Sequence, residues 1–300
     1  MIYTVTLNPS LDYFAMTGSI SEGHTNRTHD EYIVPGGKGL NVSMVLARLG
    51  TPSTAIAFTA GFTGAELTRL LKEEAVETET IDTGTGFTRI NVKINNGRIT
   101  EFNGAGIVLS AELTEALKIR LSGLSADDLL VLSGAVPSGA DRTLYRDLMA
   151  ASKAPAVLDT FGEALTEALP ERPFLIKPNE EEIEGLAGRP VETEEDLREE
   201  MIKLQERGAR NVMVSMGPRG AALLTETGSY FRCGVPGVPA GRPFNTVAAG
   251  DSMIAGFIHE YMRTGDYEKA LRFAVATGTA AAYSEWLPDR AFIEFLIAEK

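Results

Sequence analysis

Over most of the chain, short apolar runs alternate with longer stretches in which apolar residues recur every three or four positions. The short runs are typical of buried strands, and the longer stretches are typical of helices with one buried face. The predicted strands lie near residues 54–59, 128–133, 155–159, 173–176 and 211–215. The predicted helices include residues 63–75, 110–122, 142–151 and 194–207. Together with an opening strand at residues 2–7, this alternation predicts a mostly parallel sheet with helices on both faces.

A second group of strand-like segments stands outside this alternation. Residues 86–102 form a strong hairpin signal, because the turn dipeptide Asn96-Gly97 is flanked by β-branched residues on both sides. With short segments at 13–16 and 31–34, the hairpin predicts a separate small sheet. A sheet of this size is too small to stand alone, and its alternation leaves one apolar face. We therefore expect this face to pair with the same face of a second copy of the chain.

Residues 245–258 form a turn of small residues that runs into a helical pattern. The apolar repeat begins at Met253, which places the start of the helix near Ala249. Free backbone N–H groups in a first helical turn, together with the helix dipole, make an anion site. Asp251 lies inside this turn and has two interpretations. It is either a carboxylate that reacts with a bound ligand or one that merely favours the helix start.

A glycine-rich stretch, residues 35–43, leads into another helical pattern. It is not a nucleotide-binding P-loop, because Lys38 is followed by Gly39 where that motif requires Ser or Thr. The chain also lacks the GxGxxG fingerprint of dinucleotide-binding enzymes, which argues against a nicotinamide dehydrogenase. The stretch is therefore either a structural turn or a place where a ligand approaches the backbone.

Two further polar segments follow predicted strands. Asn179 and Glu182 are three residues apart at a helix start, where they suit either Mg²⁺ ligation through water or an N-terminal capping box. Residues 215–220 form a small-residue turn that either passes under a polyphosphate or simply joins two strands. Because ligands of parallel α/β sheets bind beyond the carboxyl ends of the strands, the shared position of these segments indicates one site.

Composition narrows the possible partners. The 28 Lys and Arg residues against 41 Asp and Glu residues give a net charge of −13. This charge repels nucleic acids and anionic membranes, so an anionic ligand must meet a local cationic cluster. The single cysteine, Cys233, cannot form an internal disulfide. The opening residues do not have the basic and long apolar regions of a secretory leader, and no apolar run is long enough to cross a membrane. We expect a soluble cytoplasmic protein.

These motifs together resemble the PfkB (ribokinase-like) family of carbohydrate kinases, over nearly the whole chain. Residues 35–43 are similar to the first family signature, and residues 245–252 are similar to the second. The segments 177–182 and 215–220 match its magnesium and nucleotide elements. The resemblance implies a three-layer α/β/α sandwich with a mostly parallel central sheet and a small β-sheet lid. The whole chain, 1–300, would be one kinase domain whose lid comprises about 10–35 and 86–105.

The resemblance also implies a role for each motif. Catalysis would fall to Asp251 as the general base, with the N–H groups of Ala248, Ala249 and Gly250 around the transferred phosphoryl group. Sugar binding would fall to Asp12, Gly37, Lys38, Asn41 and Asp251, and binding of the substrate phosphate would fall to Arg89. The residues expected to bind ATP are Lys177, Asn179, Ser215, Gly217, Gly220 and Thr246. Those expected to bind Mg²⁺ are Asn179 and Glu182.

The implied reaction is ATP-dependent phosphorylation of a ketohexose phosphate, with fructose 1-phosphate giving fructose 1,6-bisphosphate. The segments 4–12 and 88–93 are most similar to the branch of the family with that activity, and the tagatose 6-phosphate branch is the near neighbour. A kinase for free sugars or nucleosides and a non-catalytic sugar-phosphate sensor remain alternatives. The family resemblance also implies a homodimer formed through the lids, with Arg27 reaching the site of the neighbouring copy.

One position departs from the family pattern, which usually has glycine where this chain has Ala248. If the position requires a positive φ, alanine costs roughly 1 kcal/mol or more and slows turnover. If it does not, alanine is tolerated.

Overall fold

The computed structural model describes residues 1–238 and 248–298. The strands are β1 (Ile2–Thr6), β2 (Ser10–Met16), β3 (His29–Gly36), β4 (Ser53–Thr59), β5 (Glu77–Asp82), β6 (Arg89–Asn95), β7 (Ile99–Asn103), β8 (Leu129–Ser133), β9 (Ala156–Asp159), β10 (Leu175–Ile176), β11 (Asn211–Ser215), β12 (Ala221–Leu224) and β13 (Tyr230–Cys233). The helices are α1 (Lys38–Arg48), α2 (Gly61–Glu73), α3 (Ala111–Ser122), α4 (Leu144–Ala150), α5 (Gly162–Ala168), α6 (Glu180–Ala187), α7 (Glu194–Glu206), α8 (Ala249–Thr264), α9 (Tyr267–Ala282) and α10 (Arg290–Ala298).

The larger sheet has nine strands among the described residues, in the order β13-β12-β11-β10-β9-β8-β1-β4-β5. The run from β5 to β11 is parallel, and β12 and β13 continue it in antiparallel fashion. Every strand and helix predicted by the apolar pattern is present. The edge strand β5 was not predicted, because its sequence alternates Glu and Thr and has no apolar run.

Helices cover both faces of this sheet and create two cores. Along β4, Ala55 and Ala57 contribute to one core, while Ile56 and Phe58 contribute to the other. Buried residues of α1, α8, α9 and α10 pack in the first core, and those of α3, α4, α5 and α7 pack in the second. The α/β/α sandwich predicted from the sequence is therefore confirmed. No helix of residues 1–238 and 248–298 is long and apolar enough to cross a membrane.

The smaller sheet has the strand order β3-β2-β6-β7, and its central pair β2-β6 is parallel. The Asn96-Gly97 turn joins β6 and β7 as predicted, with Gly97 at φ 96°. Strand alternation gives the sheet two different faces. One face carries the buried polar residues Ser10, Asp12, Asn91 and Lys93. The opposite face carries apolar side chains, of which Ile33, Ile90 and Phe102 are exposed.

The carboxyl ends of the central parallel strands meet at one edge of the larger sheet. Thr6, Ser133 and Asp159 are the last residues of β1, β8 and β9, and they are register neighbours. The N-termini of α1 and α8 lie against this edge, since residues of both helices make hydrogen bonds there. This edge is where the sequence predicts a ligand site.

Candidate active site

The first turn of α8 presents backbone N–H groups and a buried carboxylate. Ala248 precedes the helix with φ −92° and ψ 3°, and its carbonyl accepts the Ser252 N–H at 2.9 Å. The N–H groups of Ala249, Gly250 and Asp251 come before that first helical bond and are available to an anion. Because φ at Ala248 is negative, the strain considered for alanine at this position does not arise.

Asp251 is buried, with 3% of the residue exposed. Its Oδ2 accepts a hydrogen bond from Asn41 Nδ2 at 2.8 Å, so it contacts a residue 210 positions away in the sequence. Burial is the main cause that raises the pKa of Asp251 to about 7, and the nearby negative charge of Asp159 raises it further. Lys38 and Asn41 act in the opposite direction. The interpretation of Asp251 as a helix-start residue alone does not account for this buried, long-range contact.

Asp159 joins the two lysines of the site. Its Oδ2 accepts from Lys38 Nζ at 3.0 Å, and its Oδ1 lies 3.2 Å from Lys177 Nζ. Burial alone would raise the pKa of Asp159, but the two ammonium groups outweigh burial and lower it. Burial alone would likewise lower the pKa of Lys38, but the charges of Asp159 and Asp251 raise it. Lys38 therefore stays charged beside the first turn of α8.

Asp159 was not identified from the sequence, although one signal was present. The residue ends a predicted strand whose other members, Ala156, Val157 and Leu158, are all buried and apolar. A charged residue at the carboxyl end of such a strand points to the ligand edge of the sheet.

Residues of the glycine-rich stretch lie against three carboxylates, those of Asp12, Asp159 and Asp251. A Cβ built on Gly36 would lie 2.4 Å from Asp12 Oδ1, so only glycine lets the backbone pass that close. Two residues later Lys38 contacts Asp159, and three residues after that Asn41 contacts Asp251. Gly37 has φ 129°, and a Cβ there would lie 2.7 Å from Thr6 Cγ2. This stretch is therefore part of the site and not only a structural turn.

Asp12 lies at the centre of the polar face of the smaller sheet. Its Oδ1 accepts from Ser10 Oγ at 2.7 Å and from Asn91 Nδ2 at 2.9 Å. Its Oδ2 lies 3.0 Å from Lys93 Nζ. Asn91 and Lys93 were not identified from the sequence. They follow Arg89 by two and four residues, so strand alternation in the predicted hairpin could have placed all three on the same face.

Arg89 lies at the start of β6 and donates to two backbone carbonyls, those of Asn8 at 3.0 Å and Gly104 at 3.3 Å. Its Nε is buried without a partner among the described residues. Burial lowers the pKa of Arg89, which Asp12 partly offsets. The structure does not bring Arg89 into the cleft that contains Asp251. The residue instead lines a neighbouring groove of about 1010 Å³ with Phe87, Gly106 and Val108.

A cleft of about 630 Å³ opens from Asp251 across the edge of the sheet. It brings together the residues Lys38, Lys177, Asn179, Glu182, Ser215, Gly217, Gly220, Ala249, Gly250 and Asp251. Its lining also includes the apolar and aromatic side chains of Val235, Val275 and Tyr283. A cleft that combines charged groups with apolar side chains suits a nucleotide. Thr246, which sequence analysis placed in this group, lies outside the described residues.

The two polar segments that follow strands have the structural roles considered for them, a capping box and a turn between strands. Asn179 and Glu182 form a capping box at the start of α6, since Asn179 Oδ1 accepts from the Glu182 N–H at 2.8 Å and Glu182 Oε2 accepts from the Asn179 N–H at 2.9 Å. The turn after β11 joins two antiparallel strands through a single 3₁₀ turn, Gly217–Arg219. Yet Asn179, Glu182, Gly217 and Gly220 all line the cleft. A structural role therefore does not exclude a role at the ligand.

The described side chains of the cleft do not form a complete metal site on their own. Among residues 1–238 and 248–298, no three His, Cys, Asp or Glu side chains come together in an arrangement that could hold a metal ion. Glu182 lines the cleft and uses only Oε2 in the capping box. One carboxylate combined with phosphate oxygens and water is a normal environment for Mg²⁺. The donor set therefore fits a metal that arrives with a nucleotide.

Comparison with known proteins agrees with this geometry. A model of the pfkB family of carbohydrate kinases matches residues 6–285. The 1-phosphofructokinase of Bacillus subtilis (strain 168) is 40% identical over 302 residues, which cover 100% of this chain and 98% of that protein. The D-tagatose-1-phosphate kinase of Bacillus licheniformis is 34% identical, with 96% and 95% covered. The crystal structure of phosphofructokinase-2 from Escherichia coli in complex with substrates and products superimposes with a TM-score of 0.91 at 31% identity, covering 99% and 98%.

Proposed function

This chain belongs to the pfkB family of carbohydrate kinases and has the ribokinase-like fold, and from that premise we propose that it transfers the γ-phosphoryl group of ATP to a ketohexose phosphate. The acceptor that we propose is fructose 1-phosphate, which gives fructose 1,6-bisphosphate. The observation that carries the proposal is a buried carboxylate, Asp251, whose pKa is raised to about 7 beside free N–H groups and two lysines. Such a group is suited to remove a proton near neutral pH.

In this mechanism Asp251 takes the proton of the acceptor hydroxyl as the oxygen attacks the γ-phosphorus. Asn41 Nδ2 binds Oδ2 of the carboxylate, which leaves Oδ1 to face the hydroxyl. Ionised Asp251 is the active form, so activity should rise as the pH passes through about 7. Asn41 thus orients the base and is also close enough to contact the sugar.

Charge on the transferred phosphoryl group would be stabilised by fixed positive groups. The donors that we propose on one side are the N–H groups of Ala248, Ala249 and Gly250, of which those of Ala249 and Gly250 are the ones that precede the first helical hydrogen bond of α8. A Cβ on Gly250 would lie 3.0 Å from Lys177 Nζ, so the ammonium group packs directly against the same turn. Lys38 faces it from α1, and the ion pairs with Asp159 fix both lysines before ATP arrives.

The nucleotide would occupy the cleft, with its phosphates at the turn that contains Ser215, Gly217 and Gly220. A Cβ on Gly220 would lie 1.9 Å from the carbonyl oxygen of Cys233, so glycine is required there by the turn itself. Mg²⁺ would be held by Glu182, with Asn179 positioning that carboxylate through the capping box. When bound, the metal would neutralise charge on the phosphates.

On the acceptor side, the proposed sugar ligands are Asp12, Gly37, Lys38 and Asn41. The substrate phosphate would bind Arg89, whose guanidinium donates to two backbone carbonyls and pairs with no carboxylate among the described residues, so its charge stays available. Lys38 and Lys177 share the carboxylate of Asp159, and Lys93 pairs with Asp12. The groove beside Arg89 leaves space for the phosphate group of the acceptor.

Three alternative functions remain. The relative named D-tagatose-1-phosphate kinase supports a tagatose phosphate as acceptor. The substrate in that name carries its phosphate at position 1, whereas the sequence motifs pointed to tagatose 6-phosphate. A free-sugar or nucleoside kinase would have no use for Arg89 at a substrate phosphate. A non-catalytic sensor would not require a base with the raised pKa of Asp251.

We also propose that the smaller sheet acts as a lid of the same domain and as a dimer interface. Its exposed face carries Ile33, Ile90 and Phe102, which a second copy would cover. Arg27 lies in the exposed connection between β2 and β3, from which it could contribute to the neighbouring site. Because the enzyme consumes ATP, we place it in the cytoplasm.

A coupled assay of ATP consumption tests the proposed function. The acceptors to compare are fructose 1-phosphate, fructose 6-phosphate, tagatose 1-phosphate, tagatose 6-phosphate, ribose and nucleosides, each with and without Mg²⁺. We expect fructose 1-phosphate to give the highest kcat/KM and activity to require the metal. A preference of about tenfold or more for another acceptor, which corresponds to about 1.4 kcal/mol in the transition state, would replace fructose 1-phosphate in this proposal.

A further inference from the structure

Lys93 is a buried lysine that the mechanism above does not use. It lies on the polar face of the smaller sheet, with its Nζ 3.0 Å from Asp12 Oδ2 and 3.9 Å from Glu101 Oε1. The same ammonium group lies 5.0 Å above the ring centre of Phe14. Only 6% of the lysine side chain is exposed. A lysine is rarely buried to this extent unless it is paired, so its environment is specific.

The bonds around Asp12 leave little freedom to its carboxylate. Oδ1 accepts from Ser10 and Asn91, and Oδ2 pairs with Lys93. A carboxylate has about four lone-pair sites, so three are occupied and one remains on Oδ2. Gly36 closes off the Oδ1 side, because even a Cβ there would collide with Asp12. The side chain of Asp12 nevertheless keeps 13% exposure, which gives a ligand access to it.

Lys93 and Arg89 lie on the same strand but have different partners. The charge of Lys93 faces two carboxylates, whereas the guanidinium of Arg89 bonds to carbonyl oxygens. A cation that is already neutralised and buried is poorly suited to bind a phosphate. Its contacts are instead those of a group that fixes a neighbouring carboxylate.

We propose that Lys93 is a positioning residue that acts through Asp12. Together with Asn91 it holds the carboxylate so that one lone pair of Oδ2 receives a single hydroxyl of the acceptor. Since that hydroxyl must point in one direction, the arrangement sets which epimer of the ketohexose phosphate is accepted. The inference rests on the proposed function, and it adds the determinant of acceptor selectivity.

The test compares Lys93→Met and Lys93→Arg with the wild type and with Lys118→Met. Lys118 is a suitable control because it also pairs with an aspartate, Asp147 at 3.7 Å, but lies on α3 away from the cleft. In Lys93→Met we expect the KM for fructose 1-phosphate to rise about 10- to 100-fold, the range for loss of one charged hydrogen bond. The KM for ATP should not change. The preference for fructose 1-phosphate over its epimer tagatose 1-phosphate should fall by a similar factor, and Lys93→Arg should recover part of both losses.

A double-mutant cycle separates positioning from general stability. If Lys93 acts through Asp12, then Lys93→Met made in an Asp12→Asn background should change the KM of the acceptor little, since an amide needs no cation. The double variant also removes both buried charges, so it keeps the test usable if Lys93→Met alone does not fold. Additive losses in the cycle, or a Lys93→Met enzyme that behaves like Lys118→Met, would overturn the inference. Failure of the proposed function would be seen separately, as a wild-type protein that phosphorylates no ketohexose phosphate.

Discussion

Replacing Asp251 by Asn is the most direct perturbation of the proposed chemistry. Asparagine keeps the shape of the side chain and an oxygen that can accept from Asn41, but it cannot take a proton. Loss of a general base typically lowers kcat by about 10²- to 10⁴-fold, or roughly 3 to 5.5 kcal/mol in the barrier. The KM values for ATP and for the sugar phosphate should change little, because the cleft is intact.

The same substitution should change stability in a direction that a simple capping residue would not. The pKa of Asp251 is raised from 3.8 to about 7 in the folded chain, mainly by burial. The folded state therefore holds a proton that the unfolded state releases, and the free energy of unfolding falls as the pH rises from about 4 to about 7. At about 1.36 kcal/mol per pKa unit, the full cost above pH 7 is roughly 4 kcal/mol. Asp251→Asn removes this cost, so the variant should be more stable than wild type at pH 8 and nearly equal to it at pH 4.

The assay measures kcat, both KM values and the melting temperature at several pH values. Asp266→Asn is the matched control, because Asp266 is a helix-start aspartate that caps α9 by accepting from the Lys269 N–H at 3.0 Å. Its kcat should equal that of the wild type. An Asp251→Asn enzyme with kcat within about threefold of wild type would refute the assignment of the base, since general-base catalysis contributes at least about 10²-fold.

Four further predictions concern the cleft and the smaller sheet. Asp159→Asn should move the acidic limb of the kcat/KM profile to lower pH, because the charge of Asp159 raises the pKa of Asp251; it should also cost roughly 3 to 5 kcal/mol in the free energy of unfolding, since a buried lysine loses its partner. An unmoved limb would contradict the coupling. Ala248→Gly should leave kcat and both KM values unchanged, because φ at this position is −92° and glycine relieves no strain. A clear gain in kcat would show that the Cβ of alanine does obstruct the phosphoryl group. Arg89→Gln should raise the KM of the phosphorylated sugar by about 10- to 100-fold without changing the KM of ATP. An equal effect on both substrates would argue against a phosphate contact. Phe102→Lys should convert a dimer into monomers in light scattering at micromolar concentration, and a wild-type protein that is already monomeric there would refute the lid interface.

The fold could be predicted well because its signals are local. Buried strands of a parallel sheet are continuous apolar runs, and those of β8 and β9 stand out from the sequence around them. The hairpin at Asn96-Gly97 is specified by its own turn residues. The two edge strands of the larger sheet, β5 and β13, were not predicted. At β5 one side of the strand faces water and needs no apolar run.

The first turn of α8 could be located from the sequence for the same reason, because a turn of small residues before an apolar repeat is a local pattern. The effect of Ala248 could not be decided from the sequence, since it depends on a single dihedral angle. With φ at −92°, the alanine is accommodated in an ordinary conformation. A substitution in a family signature is therefore informative only once the backbone geometry of the position is known.

The charge network of the site depends on contacts that no local pattern encodes. Lys38 and Asp159 are 121 residues apart, and Asn41 and Asp251 are 210 residues apart, yet both pairs form hydrogen bonds. Strand order determines which residues end side by side, and the adjacency of β8, β9 and β10 brings Asp159 next to Lys177. Lys38 and Lys177 lower the pKa of Asp251 by their own charge, whereas Asp159, whose pKa the same two lysines lower, raises it. The glycine-rich stretch thus meets three carboxylates within six residues, since Gly36 passes close to Asp12, Lys38 pairs with Asp159 and Asn41 donates to Asp251.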